Sequence, residues 1–216
     1  MGPKLYMING SPGVRSVLMC AKAIGLDLEF INVDLFSGDH LKPEYLKINP
    51  QHTVPLLDDD GFILADSHAI MSYLVSQYGK DKSLYPTDLK QRATVDHRLH
   101  FDSSILFARG AAITKILLFE GGKEIPQKLL DNISEAYQMV EKLLENTKYV
   151  AGNQVTIADF CFVTSITSWS VFVPLPEAQY PKISAWVKRM QQLPYYSENQ
   201  TGLDMYLQLM KTKIPK

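Results

Sequence analysis

Ser11-Pro12-Gly13-Val14-Arg15 is the first stretch whose residue types could do chemistry. A hydroxyl stands at a turn, just ahead of a run with helical spacing. It could cap the helix, since serine caps well and proline favours the first helical position. It could also sit beside an anion, because helix N-termini offer free N–H groups and a favourable dipole. A serine-hydrolase role would need a Gly-x-Ser-x-Gly elbow, which is absent.

Asp66-Ser67 repeats the theme ahead of a second helical run. Its carboxylate suits an ammonium, and its hydroxyl and free N–H groups suit a carboxylate. Helix capping explains the same pair, and both roles are compatible. Of five histidines, His40, His52 and His68 lie in the first half; His97 and His100 read as structural. Cys20 and Cys161 are far apart and fit neither a metal-ligand spacing nor a disulfide framework. A reducing, cytoplasmic setting and no metal are the expectation.

The balance of the chain narrows the partners. A formal net charge of −1 gives no electrostatic case for nucleic acid. The apolar runs are far short of a membrane span. The opening MGPKLYMING does not read as a signal peptide, and Met7 stands where a myristoylation motif wants Ser or Thr.

The elements that must position these residues fall into two kinds. Residues 4–8 read as a strand. Val14, Val17, Leu18, Ala21 and Ile24 mark a helix face that Gly25 stops. Residues 28–33 read as the next strand, and so tight a strand-helix-strand unit implies a parallel pair. A polar loop at 37–40, a short helix at 43–48 and a hairpin of 53–57 with 62–64 follow. Asp66-Ser67 then opens a helix through Tyr78. Residues 79–88 read as a linker. Beyond them come helical runs at 89–119, bent near Gly110, and at 125–146, 156–173 and 181–193, with no strand. The expected fold is thus an α/β unit, 1–78 in the order βαβαββα, then an all-helical unit, 89–216. In Val155-Thr156-Ile157-Ala158-Asp159-Phe160, Thr156 and Asp159 form a short-acid capping box, with Val155 and Phe160 as its staple. The cap should contribute about 1 kcal/mol to folding.

Four stretches now carry a resemblance: Ser11-Pro12-Gly13-Val14-Arg15, Asn49-Pro50-Gln51-His52-Thr53-Val54-Pro55, Asp66-Ser67-His68-Ala69-Ile70 and Thr156-Ile157-Ala158-Asp159. In this order and spacing the chain resembles the cytosolic glutathione S-transferases, with a thioredoxin-like first domain. It is most similar to the insect epsilon class, a relative of the delta class. Leu106-Phe107-Ala108-Arg109 and Gln192-Leu193-Pro194-Tyr195-Tyr196 add to the likeness.

The resemblance implies glutathione as co-substrate and Ser11 as hydrogen-bond donor to its sulfur. The redox pair of thioredoxin-like proteins is replaced here by Ser11-Pro12-Gly13-Val14, so thiol–disulfide exchange is excluded at this turn. Lowering a thiol pKa from about 8.5 by about two units needs roughly 2.7 kcal/mol. One charge-assisted hydrogen bond contributes about 1.5–3 kcal/mol, and the helix N-terminus adds up to about 1 kcal/mol. Val54 with Thr53 and a cis Pro55 would pair with the cysteinyl backbone, in the manner of an added strand. Asp66 and Ser67 would take the γ-glutamyl end. His52, His40 and then His68 would face the glycyl carboxylate or its surroundings. Phe107, Gly110, Ala111, Thr114, Leu118, Phe119 and Leu207 would line the electrophile pocket, made wide by the small residues 110–112. A symmetric homodimer is implied as well. The rival reading is a non-catalytic carrier of apolar ligands on the same fold.

Overall fold

The computed structural model describes residues 2–214. The first half runs β1 (Lys4–Met7), α1 (Pro12–Ile24), β2 (Glu29–Asn32), α2 (Pro43–Ile48), β3 (Leu56–Asp59), β4 (Phe62–Ala65) and α3 (Ser67–Tyr78). This is the expected βαβαββα order. The second half runs α4 (Leu89–Phe101), α5 (Phe107–Leu118), α6 (Gln127–Leu143), α7 (Ile157–Trp169), α8 (Pro181–Met190) and α9 (Ser197–Lys213). Met1, Pro215 and Lys216, at the ends of the two expected units, lie outside the described residues.

The sheet has strand order β2-β1-β3-β4. β1 pairs parallel with β2, as the short crossover required, and antiparallel with β3. Alternation sorts its side chains. Leu5 and Leu57 face α1 and α3 in the main core, whereas Leu56 joins Val33 and Tyr45 in a small cluster on the other face. Strand β3 begins at Leu56 rather than at Thr53. Pro55 has no N–H to give a ladder, so regular pairing starts after it.

The halves share one core. Every residue of α7 is buried, and the helix packs on α1, α3, α4 and α9. Its start is the expected capping box: Thr156 N donates to Asp159 Oδ2 at 2.9 Å. Asp159 Oδ1 also accepts from Val150 N and from Trp186 Nε1, each at 3.0 Å. Arg15, wholly buried on α1, donates to Ser168 of α7 and Asn199 of α9.

Three expectations need correction. The break in the long helix is a π-helical turn at Asp102–Leu106, not a bend near Gly110. Gly110 lies inside α5, and a Cβ there would come 2.1 Å from the Trp169 indole. It is a glycine because a buried tryptophan occupies that space. The polar loop at 37–40 holds a 3-10 turn, Asp39–Leu41, and the tail forms the unforeseen helix α9.

Candidate functional site

Helix α1 sets the position of Ser11. Gly25 ends it in the left-handed conformation, and Ser11 caps its start. Ser11 Oγ accepts from Val14 N at 3.4 Å, a long contact that leaves the hydroxyl proton uncommitted. The first turn of α1 borders two cavities. Ser11 and Pro12 line one of ≈ 370 Å³, and Gly13 lines another of ≈ 230 Å³.

The smaller cavity is the more polar of the two and gathers Thr53, Val54, Pro55, Asp66, Ser67, His68 and Phe107. The Val54–Pro55 bond is cis, as expected. Among the described residues, neither the N–H nor the C=O of Val54 has a backbone partner. An unpaired backbone edge of this kind is what an extended peptide needs for pairing. Gly13 fits tightly here: a Cβ would lie 3.2 Å from Ser67 Oγ and 3.3 Å from Pro55 Cδ. The start of α1, the cis bond and the start of α3 thus meet at one point.

Asp66 caps α3 in a positive-φ conformation. Its Oδ1 accepts from His68 N at 2.8 Å and Ala69 N at 3.3 Å, and meets His68 Nδ1 at 3.0 Å. Burial pushes this carboxyl up, but the hydrogen bonds from the His68 ring and the two amides outweigh it. It sits below the usual carboxylate range. Its Oδ2 remains open to a cation, and Ser67 Oγ to an anion.

His68 lines the smaller cavity with its ring engaged within the chain. Its Nε2 lies 2.9 Å from Asp102 Oδ2, so the ring is held between two carboxylates and only 12% of the side chain is exposed. Burial disfavours the imidazolium, yet the hydrogen bonds to Asp102 and Asp66 win and raise its pKa far above the ordinary value. Both ring nitrogens are committed within the chain, one to Asp66 and the other to Asp102.

His68, Asp102 and Cys161 bring their donor atoms within 4.8 Å of one another. Cysteine spacing alone could not show this grouping. Burial pushes the Cys161 thiol up to about 12 and raises the Cys20 thiol as well. Neither is a nucleophile at neutral pH.

His40 and His52 stand together, ring centroids 6.1 Å apart. Burial, and then His52, lower the pKa of His40, and its Nδ1 is buried without a partner among the described residues. Neither lines the two cavities; His52 flanks the smaller one through its chain neighbours Gln51 and Thr53, and His40 stands beside His52.

The larger cavity is apolar, lined by Leu35 and Phe36, by Thr114, Leu118 and Phe119, and by Met205, Tyr206 and Leu209. Phe36 and Phe119 stack across its mouth with centroids 6.0 Å apart, 59% and 50% exposed. Of the residues expected at the electrophile pocket, Thr114, Leu118 and Phe119 line this cavity. Phe107 faces the polar cavity and Trp169 instead. Gly110 is buried against Trp169, so it widens nothing; Ala111 and Leu207 line neither cavity. Leu207 misses because α9 turns Tyr206 and Leu209 inward in its place. Leu203, Tyr206 and Met210, at spacings of three and four, could have revealed that helix. A third cavity, ≈ 610 Å³, lies between the 81–91 stretch and 151–156 and is larger than either. It gathers none of these groups except the structural Thr156.

Comparison with known proteins agrees with this geometry. The family model for the glutathione S-transferase N-terminal domain matches residues 5–82, and that for the C-terminal domain matches 68–194. The chain belongs to the glutathione S-transferase family. It is 46% identical to glutathione S-transferase 1 of Manduca sexta over 97% of this chain and 98% of that one. A solved glutathione transferase homolog from Drosophila mojavensis, with bound glutathione, superposes with a TM-score of 0.97 at 50% identity, covering 99% and 98% of the two chains. An epsilon-class glutathione S-transferase from housefly, Musca domestica, gives 0.96 at 47% identity, covering 99% and 100%. Within the family the chain stands with the insect epsilon class. Among the described residues, no helix is long and apolar enough to cross a membrane.

Proposed function

We propose that Ser11 is the thiolate-stabilising residue of this transferase, which conjugates glutathione to small apolar electrophiles. One observation carries the reading: the first turn of α1 borders a polar cavity on one side and an apolar one on the other. Glutathione fits the first. Val54 offers its free backbone groups, Asp66 Oδ2 takes the ammonium, and Ser67 with the α3 N-terminus takes the γ-glutamyl carboxylate. His52 and His40 face the glycyl end. The sulfur then lies by Ser11, whose uncommitted proton donates to it, and the electrophile waits in the apolar cavity.

Ser11 thus works electrostatically, and the nucleophile is the ligand's sulfur. The same thiolate can attack an organic hydroperoxide or remove a proton to eliminate HCl from a chlorinated insecticide, which suits a detoxifying role. We read residues 1–78 as the glutathione-binding domain and 79–88 as the linker. The 89–216 domain carries most of the electrophile site. The working form is a cytoplasmic homodimer. On the 89–105 stretch, Leu89 is 80% exposed, an apolar side chain available to a second copy. The carrier reading draws on the apolar cavity alone and leaves the polar one without a use.

The test follows the ultraviolet absorbance of the thiolate against pH, for wild type and Ser11→Ala, with turnover of chlorodinitrobenzene from the same samples. Wild type should titrate about two units below free glutathione. Ser11→Ala should return toward the free value and lose most of its rate. Equal titration and turnover in the two would leave Ser11 as a helix cap only. No thiolate in wild type would favour the carrier.

A further inference from the structure

Asn9-Gly10 is the one Asn-Gly pair in the chain, and it stands directly before Ser11. The pair forms a turn: Ser11 N donates to the Ile8 carbonyl at 3.1 Å, closing the chain over Asn9 and Gly10. Glycine is usual in a turn because it accepts positive φ, or because a neighbour leaves no room for a side chain. Neither reason holds at Gly10. Its φ is not positive, and a Cβ there would meet nothing within 4 Å. What the glycine does supply is a backbone nitrogen that no side chain shields. Among the described residues that nitrogen donates to no backbone carbonyl.

Asn9 is exposed, so its side chain can turn toward its own backbone. Its carbonyl is held on the other side. Gly202, buried on α9, packs so closely that a Cβ there would come 2.1 Å from the Asn9 oxygen and 2.7 Å from Arg15 Cδ. An open amide side chain and a clamped carbonyl thus belong to one residue.

We infer that Asn9 is a self-modification site, and that its conversion to isoaspartate disables the transferase. In the step, Gly10 N bonds to Asn9 Cγ and the Cγ–Nδ2 bond breaks. Ammonia leaves, carrying the proton that Gly10 N gives up, and a succinimide ring remains. Water then adds to one ring carbonyl, and the bond from that carbon to nitrogen breaks. Opening at Cγ gives aspartate. Opening at the main-chain carbonyl gives isoaspartate, whose backbone runs on through Cβ. Water is consumed, ammonia is released, and nothing is oxidised or reduced. In isoaspartate the carbonyl clamped against Gly202 becomes a carboxylate, and the backbone gains a methylene. Close packing leaves no room for either change, so Ser11 and the start of α1 must shift. The new negative charge also disfavours a thiolate beside it. The loss of turnover rests on the thiolate reading of Ser11, whereas the formation of isoaspartate does not.

In the experiment, purified protein is held at mildly alkaline pH, which favours deprotonation of the Gly10 amide, and sampled over time. Peptide mass mapping locates the conversion, and labelling by an isoaspartyl methyltransferase counts isoaspartate. Chlorodinitrobenzene turnover and Tm are read on the same samples. Wild type should gain isoaspartate at residue 9, lose turnover by the converted fraction, and show a lower Tm. Asn9→Gln, whose longer side chain closes a ring far less readily, should keep both, and Gly10→Ala should slow the conversion. Residue 9 remaining asparagine, while a free peptide of residues 4–16 converts, would overturn the inference. So would isoaspartate at residue 9 with turnover and Tm intact, or an equal decline in Asn9→Gln. Fresh wild type without turnover overturns the transferase reading instead, and the Tm of the converted protein then decides this one.

Discussion

His68 Nε2 lies 2.9 Å from Asp102 Oδ2, joining the first turn of α3 to the π-helical turn between α4 and α5. On its other side the same ring holds Asp66 Oδ1 at 3.0 Å. A carboxylate assigned to the glutathione ammonium is thus braced by the second half of the chain.

The pair should give stability a characteristic pH slope. The folded pKa of His68 is raised because its hydrogen bonds to Asp102 and Asp66 outweigh burial, which opposes the charge. A base of this kind contributes fully below its unfolded pKa of about 6.5 and loses that contribution as pH rises toward the folded value. From about pH 7 to 9 its share should fall by about 1.4 kcal/mol per pH unit. His68→Gln should lower stability and remove this slope. Urea denaturation at several pH values measures both, and parallel slopes in the two proteins would mean that the ring is not held as a cation.

Asp66→Asn separates capping from charge. Asparagine caps helices about as well as aspartate and tolerates positive φ, so α3 should still form. The ammonium loses its counter-ion, and KM for glutathione should rise about tenfold, the equivalent of about 1.4 kcal/mol, with a smaller change in kcat. Initial rates against glutathione concentration test it. An unchanged KM would move the ammonium elsewhere.

Gly110→Ala sets helix propensity against packing. Alanine favours a helix interior by about 1 kcal/mol over glycine. Its Cβ would come 2.1 Å from Trp169, itself nearly fully buried and unable to swing aside. Overpacking costs about 1–3 kcal/mol or more, so the net effect should be destabilising. Differential scanning calorimetry decides the sign, and a higher Tm would show that the helix gain wins.

Asp159→Ala strips a buried acceptor from Val150 N, Thr156 N and Trp186 Nε1 at once. Each buried donor left alone costs about 1–3 kcal/mol, so the loss should be at least about 3 kcal/mol. Guanidinium unfolding measures it. A loss under about 1 kcal/mol would mean that the box is no more than a surface-strength cap.

What the sequence determined by itself is what depends on near neighbours. The cap at Ser11, the stop at Gly25 and the Thr156–Asp159 box need only three or four residues of context, so they could be read from the string. The alternation in β1 and the period in α1 follow from backbone geometry in the same way. Three of the four motifs supply most of the residues that line the smaller cavity.

Tertiary structure decided the contacts between distant residues. His68 meets Asp102 across 34 residues, and Thr114 meets Tyr206 across 92. Arg15 reaches Asn199 across 184. No local period encodes such meetings. They arise when close packing of α1, α5, α7 and α9 leaves one space for each side chain and buried polar groups must find partners. Gly110 illustrates this. As a letter it suggested a bend and an open pocket, and only the Trp169 ring above it shows why no side chain fits there.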